Sequence, residues 1–214
     1  MPLTDATTIE VGNREPKFTG GWNNTVRYKD FTFSMLWEFR VGGDVFNGTK
    51  YAMTNAGTSL FSAEVRQQPL IIDGVENVGT KDEPVYEDRH YEFHPDQTYE
   101  LGGQTFLGYN LIKKYYTDAY PSATANYLTK VNSLRLRSIS LSYNVPSRIL
   151  AKTKVIKRAV VTASATNLLL FSNYDGDPEA AASGAGVGGS SSVGFDYCGV
   201  PATASFAFGV NLTF

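Results

Sequence analysis

The segment 205–214, SFAFGVNLTF, alternates without a fault. Phe206, Phe208, Val210, Leu212 and Phe214 take every second position, with Ser205, Ala207, Gly209, Asn211 and Thr213 between them. A strand sends successive side chains to opposite faces. One face is therefore wholly apolar and the other small or polar. The segment 31–41, FTFSMLWEFRV, repeats the pattern: Phe31, Phe33, Met35, Trp37, Phe39 and Val41 share one face. Thr32, Ser34, Glu38 and Arg40 share the other, and Leu36 is the exception. A helix cannot satisfy a period of two. Such a chain must build a sheet with a greasy face, and the question is what environment that face meets.

The remaining strands follow from the same period. GGWNNTVRY, ahead of 31–41, puts Trp22, Val26 and Tyr28 on one side, and Lys29 with Asp30 leaves room only for a tight reversal, so 20–41 reads as a hairpin. VNSLRLRSISLSYNV is a strand stopped by Pro146, and SRILAKTKVIKR is a basic, partly helical connector. RAVVTASATNLLLFS is the next strand, 172–200 a Gly/Ser-rich loop, and the last strand starts near Ala202. The stretch 42–129 shows no steady period and reads as a very long loop, with short helices in parts such as AMTNAGTSLFSAEVRQQ.

These regular stretches run to roughly 10–14 residues, against the roughly 9–11 that cross a bilayer and the 5–6 usual in globular sheets. Connections alternate short (29–30), very long (42–129), modest (146–157) and long (172–200). Outer-membrane barrels alternate in this way, with short turns on the periplasmic side and long loops outside. The fold class expected is all-β: a partial antiparallel transmembrane β-barrel of about five long strands with long extracellular loops. Phe31, Phe33, Met35, Trp37 and Phe39, with Phe206, Phe208, Val210, Leu212 and Phe214, are the lipid-facing candidates.

Composition narrows the function. Net charge is −2 over 214 residues, which excludes the broad basic field of a nucleic-acid binder. Cys198 is alone, so no internal disulfide forms. No run of 18 apolar residues offers a transmembrane helix.

Four blocks together resemble one family. EPKFTGGWNNTVRYKDFTFSMLWEFRVGGDVFNGTKYAM resembles a stretch near the end of SusC/RagA-family TonB-dependent outer-membrane transporters. SLRLRSISLSYNVPSRIL resembles that family's LRLRNVTLGYxLP type of segment, and TASATNLLLFSNYDGDPEA its VSGxNLFTxTxYxGxDPE type. FAFGVNLTF is similar to its terminal strand. The resemblance implies a 22-stranded barrel with a plug, placed in the cell outer membrane and energised by TonB. It implies import of large nutrients, glycans or peptides, beneath a SusD-like lipoprotein. Members begin with a signal peptide, a TonB-contacting segment and a plug, and MPLTDATTIEVGNREPKF matches none of these. Residues 1–214 are thus expected to be a C-terminal portion that transports nothing alone. The implied partners are the SusD-like lipoprotein, the TonB complex through the missing N-terminal part, outer-membrane lipid, and the outer-membrane assembly machinery, which would read Phe214 and the alternate apolar residues before it.

Other constellations point less far. His90 and His94 have the i, i+4 spacing of a helical metal pair, but Pro95 and the flanking aromatics argue for a polar loop. Asp175, Asp177 and Glu179 offer oxygen ligands for Ca²⁺, yet their order is not an EF-hand, and Gly176 with Pro178 suits a structural turn. SGAGVGGSSS lacks the lysine of a phosphate loop. Arg135 and Arg137 fall in phase with Ile139, Leu141 and Tyr143, which places the arginines at an extracellular rim where charge costs little. No nucleophile–base pair appears, so no catalytic site, cofactor or metal is assigned and the protein reads as non-enzymatic. The competing architecture is a soluble secreted β-sandwich, a binding or adhesion module with the aromatics between two sheets.

Overall fold

The computed structural model describes residues 9–80, 82–153, 155–180 and 194–214. In chain order the elements are β1 (Phe18–Tyr28), β2 (Phe31–Asn47), α1 (Gly48–Asn55), α2 (Leu60–Val65), β3 (Leu70–Asn77), β4 (Tyr86–Phe93), β5 (Thr98–Leu101) and β6 (Gln104–Leu107). There follow α3 (Gly108–Lys114), a π-helical turn (Tyr115–Ala119), α4 (Tyr120–Ser122), β7 (Leu128–Asn144), α5 (Ser147–Leu150), β8 (Arg158–Ser172), β9 (Phe195–Asp196) and β10 (Ser205–Thr213). The run SGAGVGGSSS lies outside the described residues. Two compact units divide the chain: Gly12–Phe46 with Leu128–Phe214, and Asn47–Tyr127 with the residues up to Val11.

The first unit is one antiparallel sheet in the order β1-β2-β7-β8-β10, with β9 added beside β2. β1 and β2 pair without interruption from Phe18↔Val41 to Tyr28↔Phe31. Their reversal needs only Lys29 and Asp30, and Lys29 takes φ 52° to close it. Two irregularities set the rest of the register. Leu36 and Trp37 pair with Ser138 and Leu136, so Arg137 is an extra residue on β7, a β-bulge. Further on, Val41 pairs with Asn132 and Asp44 with Lys130, and Gly42 and Gly43 fill the gap at φ 77° and 82°. Beside this second irregularity Val45, Val131 and Tyr174 form a buried cluster.

The second unit is helical with two hairpins. The Asn47 side chain accepts from the Lys50 amide at 2.8 Å and that of Ser59 from the Ser62 amide at 3.1 Å, which caps α1 and α2. α3, the π-turn and α4 run on as one helical stretch. Aromatic edges hold these elements together: Phe61 meets Tyr116 at 5.8 Å, and Tyr51 meets Tyr127 at 5.4 Å. β3 pairs with β4, and β5 with β6.

The expectation of an all-β chain, a partial transmembrane barrel, is overturned. Helix makes up 21% of the described residues, and the architecture is mixed α/β with open sheets. The physical reason lies in 42–129: β2 runs on to Asn47, β7 starts at Leu128, and between them stand capped helices and hairpins, each too short to show a period. The five-strand sheet stays open, with β1 and β10 as its edges. Within this unit all the long strands belong to a single sheet.

The Gly42–Gly43 irregularity gives a test. A Cβ at Gly43 would lie 2.7 Å from the Arg14 carbonyl oxygen at a left-handed φ, whereas one at Gly209, on β10, meets nothing within 4 Å. Gly43→Ala is expected to destabilise the sheet by about 1–3 kcal/mol, and Gly209→Ala to stay within about 0.5 kcal/mol. Denaturant unfolding in detergent, followed by the fluorescence of Trp22 and Trp37, reads both.

Candidate functional site

The sheet has two chemically opposed faces. Because Arg137 is bulged, Leu134 and Leu136 fall into line with Ile139, Leu141 and Tyr143, opposite Phe39, Trp37, Met35, Phe33 and Phe31. The register carries each row across to the last strand. Phe33 leads through Leu141 and Ala163 to Phe208, Met35 through Ile139 and Ala165 to Phe206, and Phe31 through Tyr143 and Val161 to Val210. Leu212 lies opposite Ala159, and Phe214 follows the end of β10, where its carbonyl accepts from Lys157 Nζ at 3.3 Å. The structure thus brings both apolar series named from the sequence onto one face. That face is open: Phe208 is 84% exposed, Phe206 66% and Phe31 46%, while Phe33, Met35, Trp37 and Phe39 are half-buried against their neighbours.

The opposite face is lined with small hydroxyl residues. Thr25 donates to Ser34 at 3.2 Å, Ser142 and Thr162 lie 3.3 Å apart, and Thr166 and Ser205 2.6 Å apart. Toward its β1–β2–β7 end stands a charged network. Arg135 is buried and holds Asp177 through Nη2, and Glu179 through Nε at 3.3 Å. Arg137 binds Glu38 through Nε and Glu179 through Nη2, and reaches Asn167 Oδ1 at 3.5 Å. Asn167 itself sits at φ 52° where β8 answers the bulge. Glu38, Glu179, Arg40, Ser133 and Thr19 line a cavity of about 360 Å³ beside this network.

The turn that brings the carboxylates down is 173–180. Asp177 accepts from the Glu179 amide at 3.0 Å and, through its other oxygen, from the Ala202 amide at 2.9 Å, so one side chain ties the turn to the approach of β10. Burial pushes the Asp177 carboxyl up, but the two amides and then Arg135 outweigh it and hold it below its ordinary value. The Tyr174 hydroxyl donates to Asp196 at 2.8 Å, and burial followed by that carboxylate pushes its phenol well up.

Several expectations change here. Arg135 does not share the face of Ile139, Leu141 and Tyr143 but lies on the opposite one, 2% exposed beneath the turn. Asp177 and Glu179 face guanidinium groups rather than converging on a cation. His90 lies on β4 against Asp73 at 2.5 Å, and His94, just past its end, against Glu92 at 3.0 Å. Four residues of strand separate two side chains by about 13 Å, so the pair is not one ligand set. Among the described residues no three His, Cys, Asp or Glu come together as metal ligands, and no helix is long and apolar enough to cross a membrane. Sequence reasoning missed the partnership of Glu38, Arg135, Arg137, Asp177 and Glu179. Its one signal was the three-residue gap from Leu136 to Ile139 in an otherwise two-residue rhythm.

Two predictions follow from the network. Arg135→Ala leaves Asp177 buried without its cation and is expected to cost about 3–5 kcal/mol, read as a lowered denaturant midpoint. The half-exposed Arg137 should cost less when replaced in the same way. The second concerns pH. A carboxyl whose folded pKa is depressed stabilises above its unfolded pKa, and that contribution is lost as pH falls through the folded one. Hydrogen exchange at the amides of Glu179 and Ala202 should therefore stay slow from neutrality down to about pH 4 and quicken below the ordinary value of 3.8. Asp177→Asn should give fast exchange at both amides already at pH 7.

No protein-family profile matches the chain. Among curated proteins it is 25% identical over 206 residues to TonB-dependent receptor P3 of Formosa agariphila, and 24% identical over 205 residues to TonB-dependent receptor P39 of the same organism. Each alignment takes in 95% of this chain, which spans 17% of the length of either receptor. Among solved structures it resembles the RagAB peptide importer in its closed-closed state, with TM-score 0.58 and 20% identity over 99% of this chain and 19% of that one. The open-open state gives TM-score 0.54 and 20% identity over 94% of this chain and 17% of that one, a likeness of fold. Over this segment the chain is thus similar in sequence to part of two TonB-dependent receptors, and it shares a fold with part of the RagAB peptide importer.

Proposed function

We propose that residues 1–214 are the C-terminal portion of an outer-membrane TonB-dependent transporter that imports large nutrients, peptides or glycans, together with a SusD-like lipoprotein. The observation that carries this reading is the aromatic face. In water a continuous apolar surface running from Trp22 on β1 to Phe208 on β10 is a liability. Against lipid it is the stable arrangement. Phe31, Phe33, Met35, Trp37, Phe39, Phe206, Phe208, Val210, Leu212 and Phe214 are accordingly assigned to lipid contact, and Phe214 with its alternate neighbours to recognition by the outer-membrane assembly machinery. The homology to TonB-dependent receptors supports the transport role and the TonB partner, and the likeness to a peptide importer supports a peptide cargo.

The chain has no transport activity by itself in this reading. The edges β1 and β10 carry backbone groups that hydrocarbon cannot satisfy, so they require strands from the rest of a longer polypeptide. The role is transport and not catalysis.

Fractionated native cells, blotted with an antibody against 70–93, test the proposal. A band in the outer membrane several times heavier than 23.4 kDa is expected. A soluble or secreted band at 23.4 kDa overturns it. In the same cells, deleting Phe214 from the full-length protein should lower the amount assembled, and unchanged insertion removes its assigned part in assembly.

A further inference from the structure

The β3–β4 hairpin invites a function that nothing above gives it. Its strands are eight residues each, paired in register from Leu70↔Phe93 to Asn77↔Tyr86. Only its base is packed. Leu70 is buried, and Phe93 stands edge-on to Tyr99 at 5.0 Å. From Asp73 to Asn77 and from Tyr86 to Glu92 every residue is exposed. A two-stranded ribbon is at best marginally stable in water. This one is stiffened on its other face, where Glu76 accepts from Arg89 Nε and from the Tyr91 hydroxyl, each at 2.9 Å.

The remaining face is built differently. The register places Ile71, Asp73 and Val75 on it, opposite Glu92, His90 and Asp88, with Tyr86 at the tip. Ile71 is 55% exposed, Val75 64% and Tyr86 66%. Over 70–93 seven carboxylates stand against one lysine and one arginine, although the whole chain is only −2. Edge ribbons that merely avoid aggregation carry charge and Pro and do not expose branched and aromatic side chains between the charges. Alternating apolar studs and carboxylates instead offer a partner both apolar contact and a matching field of negative charge. The charge excludes nucleic acid and anionic lipid as occupants. The carboxylates do not converge on a cation, since no three of them gather among the described residues.

We propose that this face of the β3–β4 hairpin is a docking arm for a folded protein that presents lysine and arginine around an apolar patch. Ile71, Val75 and Tyr86 supply the buried contact, and Asp88, with Asp73 and Glu92 beside His90 and His94, the complementary charge. The proposal is independent of transport: it requires a basic partner, not a membrane.

The test is photo-cross-linking in native cells carrying the full-length protein. A photoreactive phenylalanine analogue is placed at Val75, and at Leu60 on α2 as a control. One protein partner is expected from Val75 and not from Leu60, joined through a peptide that contains lysine or arginine. Asp73→Lys with Asp88→Lys and Glu92→Lys should lower the yield about tenfold or more. Changing the basic residues of the partner's cross-linked peptide to glutamate should restore it, which a misfolded arm could not allow. A cross-link only to this chain or to lipid, no cross-link from a chain that fractionates as folded, or a yield indifferent to the charge reversal overturns the docking arm. None of these outcomes bears on the cellular fraction in which the protein is found.

Discussion

One extra residue organises the sheet. β7 must answer two neighbours, β2 and β8, and its apolar residues do not keep one parity: Leu134 and Leu136 are even, Ile139, Leu141 and Tyr143 odd. In an unbroken strand one of these groups would point into the hydroxyl face. Looping Arg137 out resolves the conflict and joins both groups to the aromatic rows of β2. The same step leaves a guanidinium at the bulge, and Glu38 and Glu179 meet it there. β8 answers with Asn167 at positive φ. The bulge is therefore the source of both the sheet's apolar continuity and its one charged network.

That network explains how Arg135 can be buried. A lone guanidinium taken from water is strongly penalised, and Coulomb attraction offsets this only when the remaining hydrogen-bonding capacity is also met. Here the 173–180 turn meets it. Asp177 faces Arg135, while two amides, including that of Ala202 ahead of β10, saturate the carboxylate. The turn, Arg135 and the approach to the last strand are thus coupled through Asp177, and Glu179 adds the bulged Arg137. Tyr174 anchors the other end of the turn in the Val45–Val131 cluster and through Asp196.

The legibility of the chain follows the length of its elements. Strands of nine to seventeen residues repeat their period often enough to be read, and β1, β2, β7, β8 and β10 lie where the alternation places them. The helical unit was legible only in part: short helices were expected within 52–68, where α1 ends and α2 lies, but α1, α2 and α3 have eight, six and seven residues, about two turns each, and the run after α3 passes through a π-turn. Their order comes from contacts distant in sequence, such as Phe61 with Tyr116 and Tyr51 with Tyr127. The charged network was half legible. The phase break after Leu136 is visible, but an unbroken period puts Arg135 in phase with Ile139, Leu141 and Tyr143, on the wrong face. Only the pairing of β7 with β2 reveals the bulge.

Charge follows the same division. Within the sheet, Arg135 and Arg137 are set against Glu38, Asp177 and Glu179. The β3–β4 ribbon keeps most of its carboxylates exposed. A small total charge thus conceals opposite balances: the sheet unit carries 13 Lys and Arg against 8 Asp and Glu, whereas the β3–β4 ribbon is strongly acidic. The aromatic face exposes large apolar side chains and the ribbon exposes carboxylates, and net charge and mean hydropathy average that contrast away.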